Sequence, residues 1–229
     1  MSLFAIADLH LSLGTDKPMD IFKGWNDYVS RLTKNWRDIV KDDDTVVIAG
    51  DISWAMKLSD TYKDFEFINS LPGKKILLKG NHDYWWETMN KMKNYLTEKS
   101  FDTLNILFNN SYECDDYAIC GTRGWLIDSA NEDDKLVLNR EIGRLKASLD
   151  SAKSLGKEPV VFLHYPPIYG SFEGQGFISL MQEYGVKKCY YGHIHGTNMI
   201  KSSFNGEYKG IEFKLISCDG LSFVPLLVR

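Results

Sequence analysis

The 229-residue chain has no apolar run approaching the ~20 residues needed to cross a bilayer as a helix, so no membrane-spanning segment is expected. It also lacks a basic surplus: 27 Lys and Arg stand against 31 Asp and Glu, a net charge of −4. That balance removes the electrostatic footprint of a nucleic-acid binder and does not favour anionic membranes. Its four cysteines (Cys114, Cys120, Cys189, Cys218) show no CxxC spacing. The first apolar run, Leu3 to Ala7, ends at Asp8 without a basic leader and is too short for a signal peptide. The expectation is therefore a cytoplasmic protein with reduced, mostly buried thiols. No linker, repeat or low-complexity tract divides the chain, and residues 1–229 are expected to form one domain.

Short apolar runs recur, each closed by polar residues or glycine: "LFAIAD", "TVVIAGD", "KKILLKGNHD", "PVVFLHYPP" and "KCYYGHIHG". Continuous runs of this length predict strands buried on both faces. Between them, Trp25, Val29, Leu32, Trp36 and Ile39 recur at steps of three and four, the pattern of an amphipathic helix. Ser129 and Glu132 have capping-box spacing ahead of Leu138, Ile142, Leu145 and Leu149, and Gly156 is a plausible stop for that helix. The β-α-β order of the first half predicts a mostly parallel sheet. "SYECDDYAICG" predicts a hairpin around Asp115-Asp116, and "GIEFKLISCDGLSFVPLLV" predicts further strands with no helix between them. Two packed sheets with helices outside fit this mixture better than one doubly wound sheet.

Histidine is scarce, and its placement is uniform. All five (His10, His82, His164, His193, His195) fall just past the end of a predicted strand, where ligands bind in open α/β sheets. They sit in the segments Asp8-x-His10, Gly50-Asp51, Gly80-Asn81-His82-Asp83, His164 and Gly192-His193-x-His195. Any one of these reads equally well as a turn, because Gly, Asn and Asp are turn formers. Their joint occurrence, with no histidine left over, points to a metal site. Imidazole, carboxylate and amide oxygen without thiolate suit Mn²⁺, Fe or Zn²⁺ rather than a structural Cys-rich zinc site. Eight such residues are too many for one ion. Two ions sharing a bridging carboxylate, roughly 3.5–4 Å apart, would use most of them and serve hydrolytic phosphoryl chemistry.

The order DxH, GD, GNH(D/E), H, GHxH resembles the calcineurin-like metallophosphoesterases; here it reads "DLH", "GD", "GNHD", "H", "GHIH" across residues 8 to 195. The resemblance implies a four-layer α-β-β-α sandwich of two mixed sheets flanked by helices, with a dinuclear metal centre. By position it assigns one ion to Asp8, His10, Asp51 and His195, and the other to Asp51, Asn81, His164 and His193. Asp51 bridges, and Asn81 also stands beside the substrate. His82 is implied to be a catalytic residue near the leaving-group oxygen rather than a ligand. The implied activity is metal-dependent hydrolysis of a small, soluble, nucleotide-like phosphate mono- or diester. The alternatives are a nuclease of the same superfamily, which the acidic balance disfavours, and a metal-binding scaffold without chemistry. Protein phosphatases of the superfamily read GDxxDRG, whereas this chain reads "GDISWAM". Trp54 takes the place of the Asp that pairs with the catalytic histidine, and the phosphate-clamping Arg is missing. That departure argues against the protein-phosphatase branch and leaves Asp83 as a candidate partner for His82.

Several secondary features remain. Arg123, flanked by glycine in "CGTRGW", is either a bidentate phosphate clamp or an ordinary surface arginine. Trp54, Tyr84, Trp85, Trp86 and Trp125 adjoin the motifs and suit either packing or stacking on substrate. "YPPIYGSFEGQGF" after His164 is a candidate rim loop or lid. The Lys41–Asp44 run reads as a solvated turn, and Asp133-Asp134 as the first turn of a helix.

Overall fold

The computed structural model describes residues 1–126 and 132–229. In chain order the first half comprises β1 (Leu3–Ile6), α1 (Tyr28–Ile39), β2 (Thr45–Ala49), α2 (Tyr62–Asn69), β3 (Lys74–Leu78), α3 (Met89–Glu98) and β4 (Leu104–Ile106). The hairpin β5 (Tyr112–Cys114) and β6 (Tyr117–Thr122) follows, then α4 (Glu132–Ala152) and β7 (Glu158–Leu163). The remainder is β8 (Ile168–Tyr169), β9 (Phe172–Glu173), α5 (Gln175–Glu183), β10 (Lys188–Tyr191), α6 (Thr197–Ser202), β11 (Gly206–Tyr208), β12 (Ile211–Leu215) and β13 (Leu226–Leu227). One sheet has the order β13-β1-β2-β3-β4 and the other β11-β12-β10-β7-β6-β5.

Alternation along each strand builds the layers. In β1 to β3, Leu3, Ala5, Val47, Ala49, Ile76 and Leu78 face the second sheet, meeting Ile119, Val160, Phe162 and Tyr190. Their neighbours Phe4, Ile6, Val46, Ile48 and Leu77 face outward onto α1, α2 and α3 through Leu32, Trp36, Phe65, Ile68 and Met92. On the far side, Cys120, Val161, Leu163, Cys189 and Tyr191 pack against α4 and α5 through Leu145, Leu149, Phe177 and Met181. The architecture is the expected four-layer α-β-β-α sandwich. Strands β1–β4 are parallel, as are β6, β7, β10 and β12, and antiparallel strands occur only at the edges. Consequently the carboxyl ends of the central strands of each sheet lie together.

All four cysteines are free and buried. Gly156 terminates the α4 region in a left-handed conformation, φ 63°, after a 3-10 turn over Lys153–Leu155. Ser129 lies outside the described residues. No helix among the described residues is long and apolar enough to cross a membrane.

Three expectations need correction. Ile39 does not belong to the buried face of α1 and is 38 % exposed, because the helix buries Tyr28, Leu32 and Trp36 instead. Asp44 is not solvated: it is buried and accepts hydrogen bonds from the backbone N–H of Ser2 and Lys41. The segment after His164 is not a plain loop, since it folds into the β8–β9 hairpin and the start of α5. The C-terminal strands form as expected, with no helix between them: β12 pairs with β10, while β13 crosses over to pair antiparallel with β1.

Candidate metal centre

The turns that follow β1, β2 and β10 hold their residues in uncommon backbone conformations. Asp8 (φ 62°), His10 (φ 45°), Asp51 (φ 50°) and His193 (φ 72°) all occupy the left-handed region. Non-glycine residues there carry a cost of about 1–3 kcal/mol each and persist where the surroundings dictate the geometry. The glycines answer a different need, that of close approach. A Cβ on Gly80 would collide with the Asp51 carboxylate, and one on Gly192 would come within 2.6 Å of both Ala7 Cβ and Asp8 Oδ2.

These turns bring two groups of side chains together. Asp8, His10 and His195 form one, and Asp51, His164 and His193 the other; within each, the ligand atoms lie within 4.8 Å of one another. Asp51 stands between them, with Oδ1 3.6 Å from His164 Nε2 and Oδ2 3.7 Å from His10 Nε2. Asn81 Oδ1 approaches both His164 Nε2 (2.7 Å) and His193 Nδ1 (2.9 Å). Seven of the nine residues singled out from the sequence thus converge on one spot.

The hydrogen bonds show what this spot requires. His164 Nδ1 lies 3.1 Å from the Ala49 carbonyl, a pure acceptor, so Nδ1 carries the proton and Nε2 a lone pair. That lone pair faces two further acceptors, Asn81 Oδ1 and Asp51 Oδ1. In the other group, His195 Nδ1 is 3.3 Å from Asp219 Oδ1, while its Nε2 meets His10 Nε2 at 3.1 Å and Asp8 Oδ1 at 3.4 Å. Acceptors converging on acceptors in a buried place leave room in the charge balance for a cation.

The titration behaviour agrees. Burial, followed by the repulsion of other imidazoles, holds His10 well below its usual value and His193 down to about 3, so both keep their lone pairs. Burial and the neighbouring Asp8 charge push Asp51 up to about 8. Burial also opposes charge on His195, but Asp8 and Asp219 overcome it and hold the ring up to about 10. A group of side chains that draws a proton this strongly is short of positive charge. The donor set therefore fits metal ions.

Two residues at this centre were missed in the sequence, and one candidate pairing is not formed. Asp219 orients His195 and accepts from the Gly196 N–H at 2.8 Å. It lies four residues past β12, in the same strand-end position as the motif residues, and that position was the available signal. Cys218 beside it donates its thiol to the Asp8 carbonyl at 2.9 Å. Asp83, considered as the partner of His82, instead accepts from the backbone N–H of Asp51 (2.9 Å), Ile52 (2.8 Å) and Gly80 (2.7 Å) and from Trp85 Nε1 (3.1 Å). It ties the GD and GNHD turns into one unit.

His82 has a different setting from the other histidines. Its Nε2 is 4.0 Å from Asp51 Oδ2, and its Nδ1 has no hydrogen-bond partner. Where a carboxylate would stand in a protein phosphatase, the ring meets the Trp54 indole, 4.6 Å between centroids. Trp54 in turn stacks on His10 at 4.8 Å. Among the other aromatics, Trp85 is buried against Phe65, Trp125 packs on Tyr165, and Tyr84 is exposed. Arg123 is not a free surface arginine: its guanidinium lies 3.6 Å from the buried Glu141 and over the Trp125 ring, while its backbone carbonyl accepts from the His164 N–H.

The family model for calcineurin-like phosphoesterases matches residues 1–197. The chain belongs to that family. It is therefore placed among metal-dependent phosphoesterases, consistent with the two candidate ligand groups. No curated protein matches the sequence. Among solved structures it is similar to a phosphopantetheinyl hydrolase from Mycobacterium tuberculosis, at 16 % identity and a TM-score of 0.58, covering 99 % of this chain and 95 % of that one. It is also similar to a protein of unknown function from Aquifex aeolicus, at 18 % identity and a TM-score of 0.53, with the same coverage of 99 % and 95 %. A protein from Thermus thermophilus matches at 12 % identity and a TM-score of 0.56, covering 85 % of this chain and 82 % of that one. At these identities the likeness is one of fold.

The role of Asp83 is open to test. Asp83→Ala would leave at least three buried N–H groups and an indole without an acceptor, each at ~1–3 kcal/mol. Urea denaturation should show a loss of at least ~3 kcal/mol; a change within ~0.5 kcal/mol, the range of ordinary surface substitutions, would contradict the bracing role.

Proposed function

We propose that the protein hydrolyses a small phosphate mono- or diester at a pair of metal ions. The observation that carries this reading is the lone pair of His164 Nε2 facing Asn81 Oδ1 and Asp51 Oδ1 with no donor between them. One ion would be held by Asp8, His10, Asp51 and His195, and the second by Asp51, Asn81, His164 and His193. Manganese suits this set of imidazole, carboxylate and amide oxygen best, with iron or zinc as alternatives. When bound, such a pair activates water and neutralises the charge that develops on the phosphoryl oxygens.

The chain's own residues do the rest. His164 and His195 are held in the tautomer that aims Nε2 inward, by Ala49 and Asp219 respectively. His82 stands with Nε2 at the edge of the ligand groups, 4.0 Å from Asp51 Oδ2, and serves through that nitrogen as hydrogen-bond donor to the leaving-group oxygen. Arg123, braced by Glu141 and Trp125, contributes a cation toward the substrate phosphate.

Three outcomes are expected. Elemental analysis of the Mn²⁺-saturated protein should find two metals per chain, and Asp51→Asn should lose more metal than Asp8→Asn. A saturated content of one metal would overturn the paired arrangement. His82→Ala should keep both metals and lose ~10²–10⁴-fold in kcat toward an alkyl phosphate, the contribution of a positioned donor. The loss should be much smaller for p-nitrophenyl phosphate, whose leaving group needs little protonation. Equal losses on both esters, or loss of a metal, would remove His82 from that role. Finally, Arg123→Ala should lower kcat/KM by ~1.5–3 kcal/mol, the range of a charged hydrogen bond, at unchanged metal content. Unchanged kinetics would confine Arg123 to its pairing with Glu141.

A further inference from the structure

Beside the two ligand groups lies a cleft of about 680 Å³. His10, His82 and His195 supply one wall, so whatever occupies the cleft touches the reacting edge directly. The rest is built largely from Met19, Phe22, Trp25, Trp54 and Met199. Phe22 and Met199 are 53 % and 49 % exposed. Large apolar side chains left in water next to a polar centre mark a surface that is covered when a ligand binds.

The charge of the lining is as informative as its shape. Among the residues that form the cleft, Lys23 is the one lysine or arginine, and none is acidic. A ligand carrying further phosphates calls for several cations or bidentate arginines along its path; this cleft offers no arginine, only Lys23 in its lining and the Lys17 ammonium 3.5 Å over the Trp54 ring. An organic group without charge needs none. Clefts of roughly 300–1,000 Å³ lined mainly by apolar and aromatic side chains are the usual setting for such groups. Met199 adds exposed, flexible, polarisable surface that adapts to irregular shapes; Met19 and Trp25 are buried and Trp54 is covered by His10 and Lys17, so the apolar surface open to a ligand is chiefly Phe22 and Met199.

Resting on the phosphoesterase reading above, we propose that this cleft binds the alcohol part of the ester, and that this part is an uncharged apolar or aromatic group bearing no second phosphate. His82 lies on the cleft wall, so the ester oxygen it faces belongs to the group seated there. Of the nucleotide-like esters expected from the sequence, this disfavours those that carry a second phosphate. Phe22 and Met199 set this preference.

Binding of phosphonates, which the enzyme does not cleave as esters, tests the assignment by calorimetry on the Mn²⁺-loaded protein. Benzylphosphonate and hexylphosphonate should bind roughly tenfold or more tightly than methylphosphonate, as expected for moving apolar surface out of water. Both should also bind more tightly than adenosine diphosphate, a nucleotide with the second phosphate that the proposal excludes. Phe22→Ser and Met199→Ser, changes at exposed positions, should bring benzylphosphonate down toward methylphosphonate. Equal affinities for the three phosphonates, tighter binding of the nucleotide, or no effect of either substitution would overturn the proposal. If p-nitrophenyl phosphate is still hydrolysed in that case, the phosphoesterase reading stands and the apolar subsite alone falls. A protein that holds no metal and hydrolyses no ester would overturn both.

Discussion

The two sheets are stitched together through the backbone of Ala7. Its N–H donates to the Ile216 carbonyl and its carbonyl accepts from the Cys218 N–H, both at 2.9 Å. This short parallel bridge ties the end of β1, in one sheet, to the chain just past β12, in the other. Side-chain packing alone would let the sheets slide; a pair of directional hydrogen bonds fixes their offset. Asp8 is the next residue, and its carboxylate accepts from the His193 N–H at 3.0 Å. Everything at the centre is measured from that joint. The small residues around it, Ala5, Ala7, Ala49 and Gly192, let the layers come close enough for turns from both sheets to share ligands.

Around the joint, buried polar groups brace one another. Asp83 gathers the N–H groups of two turns, and the Asp51 carboxylate accepts from the His82 N–H at 2.8 Å while its oxygens face both ligand groups. Four left-handed residues and two crowded, buried aspartates are unfavourable on their own. They are held by a sandwich whose three apolar clusters do not depend on them. Stability resides in the layers, and the strained turns sit at their edge.

Much of this was legible in the sequence because it is local. A run such as Thr45–Ala49 is apolar on both faces and marks a strand inside a sandwich. The polar residue that follows each strand marks the edge where the strands end together. The setting of Asp83, left open as a candidate partner for His82, was not legible because its partners are mostly backbone N–H groups, which no residue type announces. Asp219 was missed because its segment, "CDG", carries no histidine and repeats no other motif, although it ends a strand as the others do. The exposure of Ile39 reflects a helix whose buried stripe runs through Tyr28, Leu32 and Trp36 to Val40 at its C-cap, leaving Ile39 beside the stripe. Periodicity gives a face; only packing says how far it stays covered. The parting of β12 and β13 into different sheets is a matter of chain path, which alternation does not encode.

The joint at Ala7 also has a consequence in time. Asp8 and Cys218, which touch through the Asp8 carbonyl, are 210 residues apart in sequence. Pairings between such distant segments close the largest loops and form late and slowly. During synthesis the first ligand turn leaves the ribosome long before His193, His195 and Asp219 exist. Until they arrive, Asp8 and His10 are an ordinary polar turn with no reason to hold a cation. The centre is therefore completed only when the two sheets dock, which makes metal capture a report on finished assembly rather than a seed for it.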